Sequence, residues 1–226
     1  MIVFPRLFAI GALLALTACG GSSGSGVMST SGAISIPDVN AAGRAYFDFA
    51  ADGYTALDQS ALSDLGSASY NGYMLAVPTS TLDALVGRTQ IDASFANGGS
   101  LTGQVTDLIL VRENADAVAV LTADVADGYT PIDGDVGFIN VSGALALSNG
   151  AVRRIGGEAI IDVDVTGTVN IPGAAFDAQL SGTENFDVTG GLHGQVADSG
   201  EFFAEGTLYA RGQRLNFNLD TGIFAE

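Results

Sequence analysis

The chain of 226 residues carries 25 acidic residues against 8 basic ones, all of them arginine, and has a formal net charge of −17 at pH 7. Such an excess of negative charge repels nucleic acid and anionic lipid, which excludes both as binding partners. The length fits one all-β domain or two small domains.

The first residues have the pattern of a secretory signal. Residues 1–6 carry one positive charge and no acid, residues 7–16 are apolar apart from Gly11, and small residues follow. An apolar run of this length is too short to span a bilayer as a helix. The signal segment ends in Leu16-Thr17-Ala18-Cys19. This stretch resembles the lipobox of bacterial lipoproteins, in which the cysteine is acylated and becomes the new N-terminus.

Cys19, the single cysteine of the chain, is therefore the candidate lipidation site. Two or three acyl chains together hold a protein on a membrane almost irreversibly. In such lipoproteins, an aspartate directly after the cysteine favours retention in the inner membrane. Here that residue is Gly20, which by the same resemblance indicates the outer membrane. The domain would then face the cell surface or the periplasm. Two alternatives remain open, namely a cysteine beside a conventional cleavage site and a free reactive thiol.

The remaining chain divides into three parts. Residues 19–40 are predicted to be a flexible tether, rich in glycine and serine up to about Pro37. Residues 41–67 form an N-terminal covering segment, with a short helix over residues 54–65 that stops at Gly66. Residues 68–226 form the main domain, in which residues 80–86 are predicted to make one helical turn capped by Ser80.

Apolar and polar residues alternate along most of the main domain. In residues 161–171, "IDVDVTGTVNI", apolar residues and Gly167 take the odd positions, which predicts a strand with one buried and one solvated face. The pattern recurs near residues 89–95, 101–105, 186–196, 201–209 and 215–219, between glycine-containing turn signals. We therefore expect an all-β fold, an antiparallel meander of about eight to ten strands.

Glycine lies inside nearly every predicted strand, as at Gly72, Gly103, Gly167 and Gly206. Interior glycine weakens a strand unless the strand bends or approaches another backbone, and closing a twisted sheet into a barrel requires such kinks. The pattern predicts a closed barrel, with a sandwich as the alternative. Because tryptophan is absent and the tyrosines do not cluster at strand ends, a soluble barrel is favoured over a membrane-inserted one.

Three stretches carry a resemblance to a known family: "SYNGYMLAV" at residues 69–77, "IDASFANGGSLTGQV" at 91–105 and "LHGQVADSGEFFAEGTLYARG" at 192–212. With the lipobox and tether, they are similar to the bacterial surface lipoproteins whose barrel is like that of transferrin-binding protein B and factor H-binding protein. The resemblance implies a tethered binding barrel. It gives no reason to carry over transferrin or iron, because the full transferrin binders have two lobes and this chain has room for one barrel.

Residues able to do chemistry are few. The single histidine, His193, is predicted to face solvent, and a Ser-His-Asp triad or a zinc site would have to use it. Asp127, Asp133 and Asp135 share a turn-rich stretch and are candidate calcium ligands, although their spacing fits neither an EF-hand nor a nonapeptide repeat. We expect neither an enzyme activity nor a cofactor.

The sequence thus predicts a lipid-anchored outer-membrane barrel that acts as a binding or structural module for a macromolecular partner, expected to be a protein. The alternative is a lipocalin-like carrier with a small apolar ligand inside the barrel; bulky inward residues favour a filled interior. A contact surface is predicted where two apolar stretches place side chains on both faces of the sheet, with Phe202, Phe203, Leu108 and Leu110 as its candidates. Residues 46–65, which are rich in aromatic residues, are expected to cover part of it.

Overall fold

The computed structural model describes residues 34–52, 55–78, 83–111, 138–155, 158–176 and 181–226. In these ranges the chain forms two helices, α1 (Ile36–Asp52) and α2 (Gln59–Leu65), followed by nine strands. The strands are β1 (Ser67–Pro78), β2 (Ala84–Ser94), β3 (Ser100–Val111), β4 (Phe138–Asn140), β5 (Ser142–Ile155), β6 (Glu158–Pro172), β7 (Thr183–Val196), β8 (Phe202–Arg211) and β9 (Asn216–Ala225).

Eight of these strands close into an antiparallel barrel. The order around the barrel is β2-β1-β9-β8-β7-β6-β5-β3, and β3 returns to pair with β2. The short strand β4 pairs with the last residues of β3. Paired strands follow each other in the chain except at two places: β9 meets β1, with Gly72 opposite Ala225, and β3 pairs with β5, while β4 lies between them in the chain. The predicted antiparallel meander, closed into a barrel of about eight to ten strands, is confirmed.

Alternation along the strands separates a packed interior from a polar exterior. In β6, Ile161, Val163 and Val165 are buried while Asp164 and Thr166 are exposed. The largest side chains that are fully buried include Phe95, Phe186, Phe202, Ile91, Leu101, Leu145 and Leu192. Carboxylates and hydroxyls on the outward face suit water, whereas a lipid-facing barrel needs an apolar outer band.

Helix α2 closes one end of the barrel. Its N-cap is Asp58, whose Oδ1 accepts hydrogen bonds from the backbone N–H groups of Ser60 and Ala61 at 2.8 and 2.9 Å. Gly66, with φ of +71°, ends the helix, as predicted. Leu62 is 0% exposed and belongs to the barrel core. We call this end, where β1 begins, the α2 end, and the opposite end, where β1 finishes at Pro78, the Pro78 end.

Close approach between strands explains glycine inside them. A Cβ added at Gly194 in β7 would lie 2.6 Å from the carbonyl oxygen of Phe203 and 2.8 Å from the Cβ of Ala204, both in β8. No side chain fits at such distances without moving the backbone. This agrees with the interpretation that interior glycine serves the barrel.

Three boundaries differ from the predictions. The helix predicted over residues 54–65 begins at Gln59, so its predicted start is wrong over residues 55–58. Helix α1 begins at Ile36, so the prediction that residues 36–40 belong to the flexible tether is wrong. The helical turn predicted over residues 80–86 is also wrong in its last part, because Ala84 already begins β2; residues 79–82 lie outside the described part of the chain. Leu85 and Val86 are both buried, and a continuous apolar run has no period that distinguishes strand from helix.

Candidate functional site

The outer side of β1, β2 and β3 carries a second apolar cluster. Inward residues such as Met74, Leu85 and Leu110 belong to the barrel core, so the residues next to them point outward. We call these outward residues the covered face: Tyr73, Val77, Ala84, Val86, Ile109 and Val111. Among the described residues, Ile34 and Val39 are buried against them, and Ile36, Ala42 and Phe138 pack there partly buried.

The sequence "ISIPDV", residues 34–39, contains the signals that begin α1. The backbone N–H and the hydroxyl of Ser35 both donate to Oδ2 of Asp38 at 2.8 Å, an arrangement like a capping box. Ile34 precedes Ser35 and Val39 follows Asp38, and both are 5% exposed, which matches the spacing of a hydrophobic staple. Pro37 is tolerated because it lies in the first turn.

Arg88 in β2 links α1 to the barrel. Its side chain is 13% exposed, and its Nη2 lies 3.4 Å from Oδ2 of Asp38 in α1. Its Nε lies 3.6 Å from Oδ2 of Asp107 in β3, and its Nη1 donates to the hydroxyl of Tyr73 at 3.4 Å. The guanidinium carbon also lies 5.8 Å from the centre of the Tyr73 ring, within the range of a cation–π contact.

The carboxyl of Asp38 is the acidic partner of this network. Burial acts to raise its pKa, but the two hydrogen bonds from Ser35 and the positive charge of Arg88 outweigh burial, so the pKa of Asp38 lies below its ordinary value of 3.8. Burial conversely raises the pKa of the Tyr73 hydroxyl. Asp38 is therefore ionised, and Tyr73 neutral, at physiological pH.

A small apolar cavity lies inside the barrel at the Pro78 end. Its volume is about 30 Å³, which has room for about two water-sized molecules. Phe176, Phe186 and Phe217 stand around it with ring centres 5.5–5.7 Å apart. Asp83 is among the lining residues, and the others are apolar. Such a cavity favours an apolar group of a few atoms.

Glu184 is a buried carboxylate near the same end. It is 4% exposed, and it accepts a hydrogen bond from the backbone N–H of Arg214 at 2.6 Å. The Nε of Arg214 lies 3.5 Å from its other oxygen. The ion pair compensates the buried charge and ties the start of β7 to the turn between β8 and β9.

A charged group lies on the polar outer face of β5, β6 and β7. Asp162 accepts a hydrogen bond from Nε of Arg153 and is hydrogen-bonded to Nδ1 of His193. The bond from Arg153 is the main reason that the pKa of Asp162 lies below its ordinary value. The side chain of His193 is 66% exposed, as predicted. Because Arg153 already neutralises the carboxylate and water surrounds the histidine, the group is a surface ion-pair cluster.

The structure corrects three of the four predicted contact residues. Phe202, Leu108 and Leu110 are 0, 2 and 3% exposed and belong to the barrel core, so they cannot contact a partner. Alternation fixes that neighbours face opposite sides, but it does not tell which side is inward when both are apolar. Phe203 does point outward and is half-buried. It lies opposite Phe224, which lies opposite Tyr73 of the covered face.

Four other predicted residues fall outside the described part of the chain: Cys19, Asp127, Asp133 and Asp135. Within the residues that the structure does describe, no group of three or more histidine, cysteine or acidic side chains is arranged to hold a metal ion. Neither described helix is both long and apolar enough to cross a membrane. No protein-family model, no curated protein and no solved structure matches the chain.

Proposed function

We propose that the chain is a lipid-anchored module of the outer membrane that binds, or structurally supports, a macromolecular partner through the outside of its barrel. The observation that carries this proposal is the dense packing of the barrel interior among the residues that the structure describes. Large side chains such as Phe95, Phe186 and Phe202 pack inside the barrel, and the cavity of about 30 Å³ at the Pro78 end is far smaller than the pockets of about 300–1,000 Å³ that hold ligands. Binding to the outer surface needs no interior space.

The resemblance to the transferrin-binding protein B and factor H-binding protein barrels supports the same role. An eight-stranded barrel is compatible with it, but this fold serves many functions, so the barrel alone does not identify the family. The proposal assigns no catalytic activity and names no partner beyond a protein. It takes the anchor at Cys19 from the lipobox pattern.

The anchor is tested by labelling cells with a fatty-acid analogue that carries an alkyne. Wild-type protein should take up the label and stay with the outer-membrane fraction, whereas Cys19→Ala should lose both. Equal labelling of the two proteins would refute the anchor. Adding protease to intact cells then shows the orientation, because only a domain on the cell surface is released.

The binding role is tested separately, with the full-length protein on cells. A photo-crosslinking amino acid is placed in turn at outward positions of β6 to β9, such as Thr166, Thr189, Tyr209 and Asn218, which are all exposed. We expect one defined adduct of higher mass from a group of neighbouring positions. If no outward position gave a defined adduct, the binding role would be excluded.

The apolar cavity favours a second candidate function, a lipocalin-like carrier. The three phenyl rings around it suit an apolar guest of small size. Titration with xenon, an apolar probe small enough for this cavity, tests this idea through NMR shifts of the residues around it. Saturable binding that Ala210→Leu abolishes would support it, since Ala210 lines the cavity, whereas Ala146→Leu on the exposed side of β5 is the matched control. Absence of saturable binding would leave only the first function.

A further inference from the structure

We propose that the outside of β6, β7 and β8 around Gly191 is a docking surface for an arginine side chain of a partner protein. We call it the Gly191 surface, and define it by five exposed residues: Asp164, Gly191, Glu205, Thr207 and Tyr209. The inference deepens the proposed function, on which it rests for the existence of a partner. It adds where the partner binds and which chemical group it presents.

The first argument is that the barrel does not require glycine at position 191. Apart from the chain neighbours, a Cβ added there would have one atom within 4 Å, the carbonyl oxygen of Val163 at an ordinary 3.8 Å. At the preceding Gly190, the added Cβ would lie 2.6 Å from the carbonyl oxygen of Thr207. The φ of Gly191 also lies outside the left-handed region. Glycine weakens a strand, and where packing does not demand it, close approach of another molecule is its remaining use.

The second argument is the shape that Gly191 leaves on the outer face. Gly191 lies opposite Asp164 of β6 on one side and opposite Thr207 of β8 on the other. Since adjacent strands are about 4.7–4.9 Å apart, Asp164 and Thr207 are roughly 9–10 Å from each other, with only main chain between them. The surface is therefore a shallow trough, and the backbone of β7 is its floor.

The third argument is the exposed aromatic ring beside this trough. Tyr209 follows Thr207 by two residues on the same face of β8 and is 43% exposed. It is diagonal to Gly191, and aromatic side chains reach across the separation of about 7–8 Å between such positions. Tyrosine is enriched among the residues that contribute most to protein interfaces. An open floor next to an exposed tyrosine suits a flat group of a partner.

The fourth argument is charge, which selects the occupant. Asp164 is directly opposite Gly191 and Glu205 is diagonal to it, and both carboxylates are exposed. Asp164 accepts a hydrogen bond from the uncharged amide of Asn149 at 2.9 Å, which leaves its negative charge in place. Carboxylates attract a cation. Arginine fits better than lysine, because its planar guanidinium pairs with carboxylates in a forked geometry and stacks on aromatic rings.

NMR titration of the full-length protein tests the proposal. The probe is a blocked peptide of four arginines, compared with blocked peptides of four lysines and of four glutamines. We expect saturable shifts centred on the amides of Thr189, Gly191 and Thr207, tighter binding of the arginine peptide than of the lysine peptide, and no shifts with glutamine. Asp164→Asn, which keeps the shape of the side chain, should weaken binding about threefold, and Tyr209→Ala should do so about two- to fivefold.

Gly191→Val separates binding from folding. Valine fits the open space and suits a strand, so we expect a slightly higher urea midpoint together with at least about tenfold weaker binding of the arginine peptide, as an obstructed docking site requires. Ala146→Val, on the exposed side of β5, is the matched control and should bind like the wild-type protein. A lower urea midpoint for Gly191→Val would overturn the proposal, since glycine would then serve the fold.

Three binding results would also overturn it. These are wild-type affinity in Gly191→Val, equal affinity for the arginine and lysine peptides, and shifts spread over the acidic surface without a centre at Gly191. The crosslinking experiment on cells tests separately whether a partner exists. Adducts from outward positions of β9 alone would overturn the Gly191 surface and leave the proposed function standing.

Discussion

Replacing Leu62 with alanine tests whether α2 closes the barrel as a structural plug. Leu62 is 0% exposed and packs in the barrel core, so the substitution removes buried apolar surface and leaves a cavity. The surroundings are held in place, because the strands form a closed hydrogen-bonded wall and the N–H of Phe95 donates to the carbonyl of Gly66 at 2.7 Å. Since the site cannot collapse, we expect a loss of about 3–4 kcal/mol in the free energy of unfolding, in the upper part of the range for such cavities.

Urea unfolding, followed by circular dichroism, measures this loss. Leu65→Ala is the matched control, because Leu65 lies on the same helix and is 47% exposed; its expected cost is within about 0.5 kcal/mol. An equal and small effect of the two substitutions would refute the plug. An unchanged barrel transition with faster exchange confined to α2 would refute it as well, since α2 would then open on its own.

Two further predictions concern adjacent residues and pH. Phe202→Ala should lower the free energy of unfolding by about 3–5 kcal/mol and the half-buried neighbour Phe203→Ala by clearly less, as measured by urea unfolding; equal losses would contradict the assignment of faces. The lowered pKa of Asp38 means that its interactions with Ser35 and Arg88 stabilise the folded state above the unfolded-state pKa and are lost as the pH falls through the lower folded-state pKa. Below about pH 4, the free energy of unfolding of the wild-type protein should therefore fall more steeply with pH than that of Asp38→Asn. Unfolding curves at successive pH values, with Asp107 and Tyr73 unchanged, measure this difference. Equal slopes for the two proteins would contradict the assigned role of Asp38.

Alternation predicted the barrel well where one face of a strand meets water. In β6 the acidic and hydroxyl residues face solvent and the apolar ones face inward. The two-residue period of a strand therefore tells which side chains point into the barrel and which point to solvent. The same reasoning failed where both faces are buried. Leu108, Ile109, Leu110 and Val111 are all at most 3% exposed, because α1 shields the outer side of that part of the sheet. Nothing in the run itself tells which residues point inward.

The candidate site was only partly predictable, because its parts are distant in sequence. The capping signal "ISIPDV" is local, and it identifies the start of α1 once Ser35 and Asp38 are considered together with the flanking Ile34 and Val39. The composition of glycine and serine before it favoured a tether instead. The pairing of Asp38 with Arg88 spans 50 residues. In the sequence, Arg88 looks like any solvent-exposed charged residue of a strand. Only the fold reveals its contact with Asp38.

The closure of the barrel by β9 has a consequence for aggregation while the chain folds. One edge of β1 pairs with β2 immediately, but the other waits for β9, with Gly72 opposite Ala225. That wait lasts until residues 79–215 have emerged. During it, the free edge of β1 presents unpaired backbone groups on which another chain can form a strand. Once β9 docks, this edge disappears. Aggregation of this protein should therefore depend on the delay before closure more than on the equilibrium stability of the finished barrel.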